Sequence, residues 1–396
     1  MSNDRPLTIF FSAAEASGDL HGANLLRALK KRLPDARFVG VAGEKMAAEG
    51  CEVIEDVTHQ AEMLGGPLLK IRYWLRMIKR IKNAIGEIQP DVHVPIDSPA
   101  LNWHLAKASQ QAGAEVFYYI APQVWAWGPW RIKKMARLTD HVACILPFEE
   151  RYLRDRGVNA NYVGHPLFDE LPEPPAVKPD LTEAWAEGAW NVAMMPGSRG
   201  GEIRNHTPAL LETAREILKK YPKSKCTFTA RTEKCAEKIQ EGIGPDIPEG
   251  VQIAVGRTRE VLREAHFALA VSGTVTLEVA HFGVPMVVFY RVSRMVRSLQ
   301  RVMPWAVKTE FFSLVNILAG RRVVRELIPW NGNVRTIVDA SMEVINELGY
   351  LVETREELGE IVAPLRVPAP GSASDNAAAL IEKIASKRYA NRGRTP

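Results

Sequence analysis

Asn191-Val192-Ala193-Met194-Met195, followed by Pro196-Gly197-Ser198-Arg199-Gly200-Gly201-Glu202, is the stretch on which the fold turns. The first five residues form an apolar run of the kind that builds a buried parallel strand. The glycines after it let the backbone approach a ligand closely, and the N–H groups there can hold an anion. Arg199 adds a charged fork suited to phosphate. A helix is predicted to follow over Pro208–Lys220. Strand, glycine turn and helix in that order are the opening of a parallel α/β unit.

The same rhythm spreads in both directions. Downstream, strands are predicted at Cys226–Ala230, Val251–Val255, Phe267–Val271 and Pro285–Tyr290, with helices at Thr258–Ala265 and Val275–Phe282. Between the strand Phe267–Val271 and its helix lies a second loop, Ser272-Gly273-Thr274. Ser272 and Thr274 are suited to cap the helix or to meet a ligand at a strand's carboxyl end. Glu278, one turn in, is an exposed helix residue or an acceptor for ribose hydroxyls. Two such loops in one domain favour a diphosphate nucleotide over either loop taken alone.

Upstream, strands are predicted at Leu7–Ala13, Arg37–Val41, Asp91–Ile96, Glu115–Ile120 and His141–Leu146, with helices at Asp19–Leu33 and Pro147–Arg156. The loop Glu15-Ala16-Ser17-Gly18-Asp19 follows the first strand. Ser17 or Asp19 is expected to cap the next helix. Glu15 is a candidate for gripping or deprotonating a sugar hydroxyl. The proline-rich segment Leu171–Pro179 breaks the pattern and reads as a linker. The expected architecture is α/β: two doubly wound, Rossmann-like domains facing across a cleft. Residues 1–170 form the first, 171–190 the linker, 191–370 the second and 371–396 a helical tail.

Composition agrees with a two-domain enzyme. The chain has 396 residues, 46% of them hydrophobic and 24% charged, which is ordinary for globular domains. The net charge of +5 is too small to argue for nucleic acid. Cys51, Cys144, Cys226 and Cys235 form no CxxC pair and have no histidines at metal-ligand spacing, so they read as isolated reduced thiols. No signal peptide is visible, and no apolar run approaches the ~20 residues of a membrane span. A cytoplasmic protein, or one attached to a membrane from that side, is expected.

Several spaced motifs resemble those of the lipid-A-disaccharide synthases, glycosyltransferases of the GT-B type. In the first half they are Glu15-Ala16-Ser17-Gly18-Asp19, Phe38-Val39-Gly40-Val41-Ala42-Gly43, Pro90-Asp91-Val92, Ile96-Asp97-Ser98-Pro99 with Asn102, Val124-Trp125-Ala126-Trp127, Leu146-Pro147-Phe148-Glu149 and Gly164-His165-Pro166. In the second half they are Pro196-Gly197-Ser198-Arg199-Gly200, Ser272-Gly273-Thr274 with Leu277-Glu278, Lys308-Thr309, Ser313-Leu314, Asn316 and Leu318-Ala319-Gly320-Arg321. The resemblance runs over roughly residues 7 to 330.

It implies transfer of a diacylated glucosamine from a UDP donor to the 6-hydroxyl of a diacylated glucosamine 1-phosphate, with inversion, no metal, no cofactor and no nucleic-acid partner. It also implies an intertwined homodimer through the second half. The nucleotide-sugar site would comprise Gly197, Ser198, Arg199, Gly200, Arg257, Ser272, Gly273, Thr274, Glu278 and Asn316. Arg199, backbone N–H groups and Arg257 would steady the leaving diphosphate. An inverting transfer needs a base, and Asp97, Glu15 and Asp91 are the candidates, Asp97 first. The family's pattern Ile-Asp-Ala-Pro-Asp-Phe-Asn reads here Ile96-Asp97-Ser98-Pro99-Ala100-Leu101-Asn102, so its second carboxylate is Ala100. Ala14 and Val315 also depart from the pattern.

Pro67–Ile85 intersperses Leu68, Leu69, Ile71, Trp74, Leu75 and Ile78 with Lys70, Arg72, Arg76, Lys79, Arg80 and Lys82. This is a basic amphipathic helix, suited either to a core-facing position with a solvated basic face or to an anionic membrane surface. Substrates that carry acyl chains favour peripheral association with the cytoplasmic face of the inner membrane. Trp125, Trp127 and Trp130 either wall the acceptor pocket or pack their loop on the core. Two other functions fit the fold: a UDP-sugar 2-epimerase, and a membrane-associated UDP-binding protein that has lost the chemistry through Ala100.

Overall fold

The computed structural model describes residues 5–56, 67–126, 128–292, 309–368 and 370–392, with the side chains of residues 67–71 and 390–392 left out. Two compact units divide the chain. The first comprises Met1–Glu170 with Leu365–Pro396, and the second Leu171–Pro364.

In the first unit the order is β1 (Thr8–Ala13), α1 (Ala16–Arg32), β2 (Arg37–Val41), α2 (Glu44–Ala48), β3 (Glu52–Glu55), α3 (Pro67–Ile88), β4 (Val92–Ile96), α4 (Pro99–Gln111), β5 (Glu115–Tyr119), α5 (Ile132–Leu138), β6 (His141–Cys144), α6 (Pro147–Arg154) and β7 (Ala160–Tyr162). The strands form one parallel sheet in the order β3-β2-β1-β4-β5-β6-β7. β1 is buried along its whole length, as a central strand covered on both faces must be. The edge strands β3 and β7 escaped the sequence reading because they are only four and three residues long, and β3 is largely solvated besides.

In the second unit the order is α7 (Leu181–Glu187), β8 (Asn191–Met195), α8 (Gly200–Lys220), β9 (Lys225–Ala230), α9 (Glu233–Ile243), β10 (Val251–Val255), α10 (Thr258–Glu264), β11 (Phe267–Val271), α11 (Val275–His281), β12 (Met286–Phe289), α12 (Leu314–Ala319), β13 (Arg325–Leu327), α13 (Val334–Asn346) and α14 (Leu348–Val362). The sheet, again all parallel, runs β10-β9-β8-β11-β12-β13. Both sheets therefore share the doubly wound 3-2-1-4-5-6 order, and the expected α/β class holds.

Three local expectations change. α8 begins at Gly200, eight residues before Pro208, which sits inside the helix. Proline suits a first turn, which is why the start was read late. The first turn is held instead by Glu202, whose Oε2 accepts from Ser198 N at 3.3 Å and Arg199 N at 3.2 Å. Asp19 is buried and does not cap its own helix: it reaches across to accept from Gly43 N, Lys45 N and Met46 N at 2.8–3.2 Å, capping α2. The expected linker ends early, because α7 is capped by Asp180 and packs Leu181 and Ala184 on the core containing Trp190.

The C-terminal segment is not a separate tail. α15 (Ala373–Arg392) belongs to the first unit. Asp169 caps its start, accepting from Ala373 N at 2.8 Å and Ser374 N at 3.0 Å. Ala373, Ala377, Ile381 and Ala385 are fully buried. They recur every four residues, which places them on one face, and small side chains there let α15 lie close against α1.

Candidate active site

Open α/β sheets bind ligands at the carboxyl ends of their strands, where the crossovers diverge in opposite directions. In the second unit that point lies between β8 and β11, which are neighbours with Met195 opposite Ala270. The loops that leave these two strands are Pro196–Arg199 and Ser272–Thr274. The structure thus brings both glycine loops together.

Gly197 has φ +105 and a Cβ there would lie 2.6 Å from Glu202 Oε2, so only glycine fits. Arg199 is exposed at the start of α8, with Nη1 3.5 Å from Glu202 Oε1. Its backbone N–H and that of Ser198 are taken by Glu202 Oε2, and the helix dipole of α8 gives this end partial positive charge. Gly200 lies against the ammonium end of Lys238 from α9, a half-buried cation beside the loop that the sequence reading missed. Ser198 is exposed. Ser272 Oγ donates to Phe312 O at 3.1 Å, and Thr276 Oγ1 donates to Gly273 O at 2.8 Å. Thr274 occupies the N-cap of α11 with no side-chain cap bond.

Three assigned residues behave differently from expectation. Asn316 is fully buried. Its Nδ2 donates to Val324 O at 2.9 Å and its Oδ1 accepts from Val323 N and Val324 N at 2.8 and 3.0 Å. It ties the turn after α12 and has no face to offer a nucleotide. Arg257 stands two strands from β8, about 10 Å away, with its guanidinium donating to Glu260 Oε2 at 2.6 Å. Glu278 faces Arg259, with Nε 3.8 Å from Oε1.

The equivalent point in the first unit lies between β1 and β4, where Ala13 pairs with Ile96. Glu15 follows the first and Asp97 the second, so both carboxylates reach the same sheet edge. Glu15 is exposed and takes the N-cap position of α1 without a side-chain cap bond. Asp91 is corrected out of the group. It precedes β4, about 20 Å along the strand from Asp97, and its buried carboxylate accepts from Thr8 N at 2.9 Å. It anchors the opposite end of the sheet.

Behind Asp97 runs a buried polar string. Ser12 Oγ donates to Asn102 Oδ1 at 2.7 Å and meets His93 Nε2 at 2.8 Å. With the serine proton given to Asn102, the histidine must be the donor of the second bond. Burial pulls the His93 imidazole down to about 3, so the ring is neutral. Its Nδ1 has no partner among the described residues, an omission that costs about 1–3 kcal/mol. Asn102 Nδ2 donates to Ile96 O at 3.0 Å and Asp97 O at 2.7 Å. Tyr118 Oη donates to Asp97 O at 2.6 Å. The sequence signal for this string was two polar residues, Ser12 and His93, inside otherwise apolar strands.

Trp125 is half-buried, with its indole N–H donating to Glu149 Oε1 at 2.8 Å and its ring edge-on to Phe148 at 5.0 Å. Packing on the core therefore describes this residue. Trp130 is exposed, and Trp127 and Lys308 lie outside the described residues. On α3, Met77, Ile81 and Ile85 are fully buried against Phe10, Val39, Val41, Leu101 and Leu105, with Trp74 and Ile78 partly buried beside them. Each fully buried aliphatic chain contributes about 1.5–3 kcal/mol, so this face is core. Leu75 is 63% exposed and lies among the exposed Arg72, Arg76 and Lys79. The side chains of Leu68, Leu69 and Ile71 lie outside the described residues. Among the described residues no helix is long and apolar enough to cross a membrane.

A family model described as lipid-A-disaccharide synthetase matches residues 9–360. The lipid-A-disaccharide synthase of Myxococcus xanthus is 36% identical over 380 residues, covering 91% of this chain and 96% of that protein. That of Syntrophus aciditrophicus is 34% identical over 378 residues, covering 95% and 98%. Among solved structures, a putative UDP-N-acetylglucosamine 2-epimerase from Listeria monocytogenes aligns with a TM-score of 0.64 at 13% identity, covering 99% of this chain and 98% of that one. MurG of Acinetobacter baumannii aligns at 0.53 and 14%, covering 96% and 100%. At such identities these two share the fold alone, whereas the sequence matches reach the family. With its two doubly wound units, the chain belongs to the lipid-A-disaccharide synthase family and is a glycosyltransferase of GT-B fold.

Proposed function

We propose that the enzyme joins UDP-2,3-diacylglucosamine to 2,3-diacylglucosamine 1-phosphate, giving the disaccharide 1-phosphate and UDP with inversion at the transferred sugar carbon. The observation that carries the donor half is the pair of glycine loops at the divergence point of the second sheet. There the start of α8 and Arg199 receive the diphosphate, and charge that develops on the leaving UDP meets fixed N–H dipoles and a guanidinium. The family relationship favours this reading over the 2-epimerase, since the synthases are matched at 34–37% identity.

The first unit supplies acceptor binding and the base. Asp97 is the base, taking the proton of the acceptor 6-hydroxyl as that oxygen attacks the anomeric carbon and the bond to UDP breaks. Ala100 leaves Asp97 without the family's neighbouring carboxylate, and Glu15 is the remaining acid at that edge. The exposed Leu75, with Arg72, Arg76 and Lys79, holds the first unit on an anionic bilayer so that acylated acceptor is supplied from the lipid. Homodimerisation follows the family.

Paired substitutions test the division of labour. Asp97→Asn is expected to lower kcat by about 10²–10⁴-fold and leave UDP affinity within twofold. Arg199→Ala is expected to weaken UDP binding by roughly tenfold or more, the loss of one charge-assisted contact. Full turnover in Asp97→Asn would remove Asp97 as the base. Unchanged UDP affinity in Arg199→Ala would remove the donor site from the α8 loop.

A further inference from the structure

The backbone around Asp97 is held in a conformation it would not choose. Asp97 has φ +45 and Ser98 φ +42, and Ile120, just after the neighbouring strand β5, has φ +61. Left-handed backbone is unfavourable for residues with a Cβ, most of all for a β-branched one. Among the described residues only four non-glycine positions have positive φ, and three of them sit together here. Such strain persists only where surrounding contacts over-determine it, and it concentrates where geometry serves function.

The contacts that over-determine it converge on one atom. The Asp97 carbonyl oxygen accepts from Tyr118 Oη at 2.6 Å and from Asn102 Nδ2 at 2.7 Å. Asp97 N–H donates to Tyr119 O at 3.1 Å. Asn102 is in turn fixed by Ser12, and Ser12 by His93. All of Ser12, His93, Asn102 and the Tyr118 ring are buried. Burial of the Tyr118 phenol keeps it protonated far above neutral pH, so it donates throughout any working range.

We infer that Tyr118, with Asn102 beside it, is a positioning residue that locks the Asp97–Ser98 turn in its left-handed form and so fixes the direction of the Asp97 carboxyl. The inference rests on Asp97 being the base proposed above. Neither side chain touches the reacting atoms. Their task is to remove the conformers of the turn in which the carboxyl points elsewhere, a contribution to kcat and not to donor binding.

The test compares Tyr118→Phe, Asp97→Asn and the double variant Tyr118→Phe/Ser98→Gly with the parent enzyme, using synthetic donor and acceptor. Tyr118→Phe removes one oxygen and keeps the ring in its core. It is expected to lower kcat about tenfold, the equivalent of one hydrogen bond, with donor KM within twofold. Glycine at 98 adopts left-handed backbone without penalty, so the double variant is expected to recover most of the lost kcat. A packing role for Tyr118 predicts no such rescue. If Asp97→Asn is inactive while Tyr118→Phe keeps full kcat, the positioning role is overturned and the base stands. If Tyr118→Phe is slow but Ser98→Gly restores nothing, the positioning role is likewise overturned. Full turnover in Asp97→Asn overturns the base and, with it, this inference.

Discussion

Asp97 and Asp91 look alike in the sequence, two aspartates bracketing one strand, and the sheet separates them. Asp97 leaves the carboxyl end of β4, and Asp91 enters at the amino end with its carboxylate satisfied by Thr8 N. The direction of the strand decides which of them can meet a ligand. Asn316 shows the opposite limit. Its place among family motifs made it a ligand candidate, but its amide is consumed by Val323 and Val324. Buried hydrogen bonding of this kind leaves no signal in residue order. Gly197 was legible, since a glycine between a buried strand and a helix has few other reasons to exist. With φ +105 and Glu202 Oε2 2.6 Å from any added Cβ, Gly197→Ala must shift the loop proposed to receive the diphosphate. UDP affinity is expected to fall at least about tenfold, equal to roughly 1.4 kcal/mol, by calorimetric titration. An unchanged affinity would place the nucleotide elsewhere.

At the scale of elements, α3 shows why amphipathicity alone misleads. Its apolar residues fit the helical period, and that period says nothing of what covers them. Met77, Ile81 and Ile85 are claimed by the sheet through Phe10, Val39 and Val41. What remains for a membrane is Leu75, 63% exposed, and the basic residues around it. Leu75→Glu is therefore expected to leave the melting temperature within about 1–2 °C of the parent, as surface changes away from special features do. It should reduce co-sedimentation with vesicles containing anionic lipid. Ile81→Asp, by contrast, buries an unpaired charge and should unfold the first unit. Undiminished vesicle binding by Leu75→Glu would exclude this part of α3 from the membrane contact. The central strands were read within a residue or two because they are continuous apolar runs. The edge strands β3, β7 and β13 were missed, being three or four residues long and carrying polar or solvated side chains.

For the whole molecule, buried and partly buried ionisable groups set the response to acid. Burial pulls His93 and His165 down to about 3 and His266 down to about 4. Their unfolded values lie near 6.5, so each contributes stability present above that pH and lost as pH falls toward the folded value. Glu149 works the other way. Burial raises it to about 7, so its contribution is present below its unfolded value near 4.3 and is lost as pH rises through 7. With three groups against one, the melting temperature is expected to fall between pH 7 and pH 5. A flat or rising profile by calorimetry would contradict these environments. The α/β class and the repeat of one topology in two halves were legible from alternating apolar runs. The return of α15 to the first unit was not, because the stripe Ala373, Ala377, Ile381 and Ala385 names a face and not a partner. The most direct measurement incubates the purified protein with synthetic UDP-2,3-diacylglucosamine and 2,3-diacylglucosamine 1-phosphate and reads the products by mass spectrometry. The expected result is a tetraacylated disaccharide 1-phosphate formed in equal amount with UDP, and none with either substrate alone. Donor bound but unconsumed in the presence of acceptor, or an epimerised donor without acceptor, would contradict it.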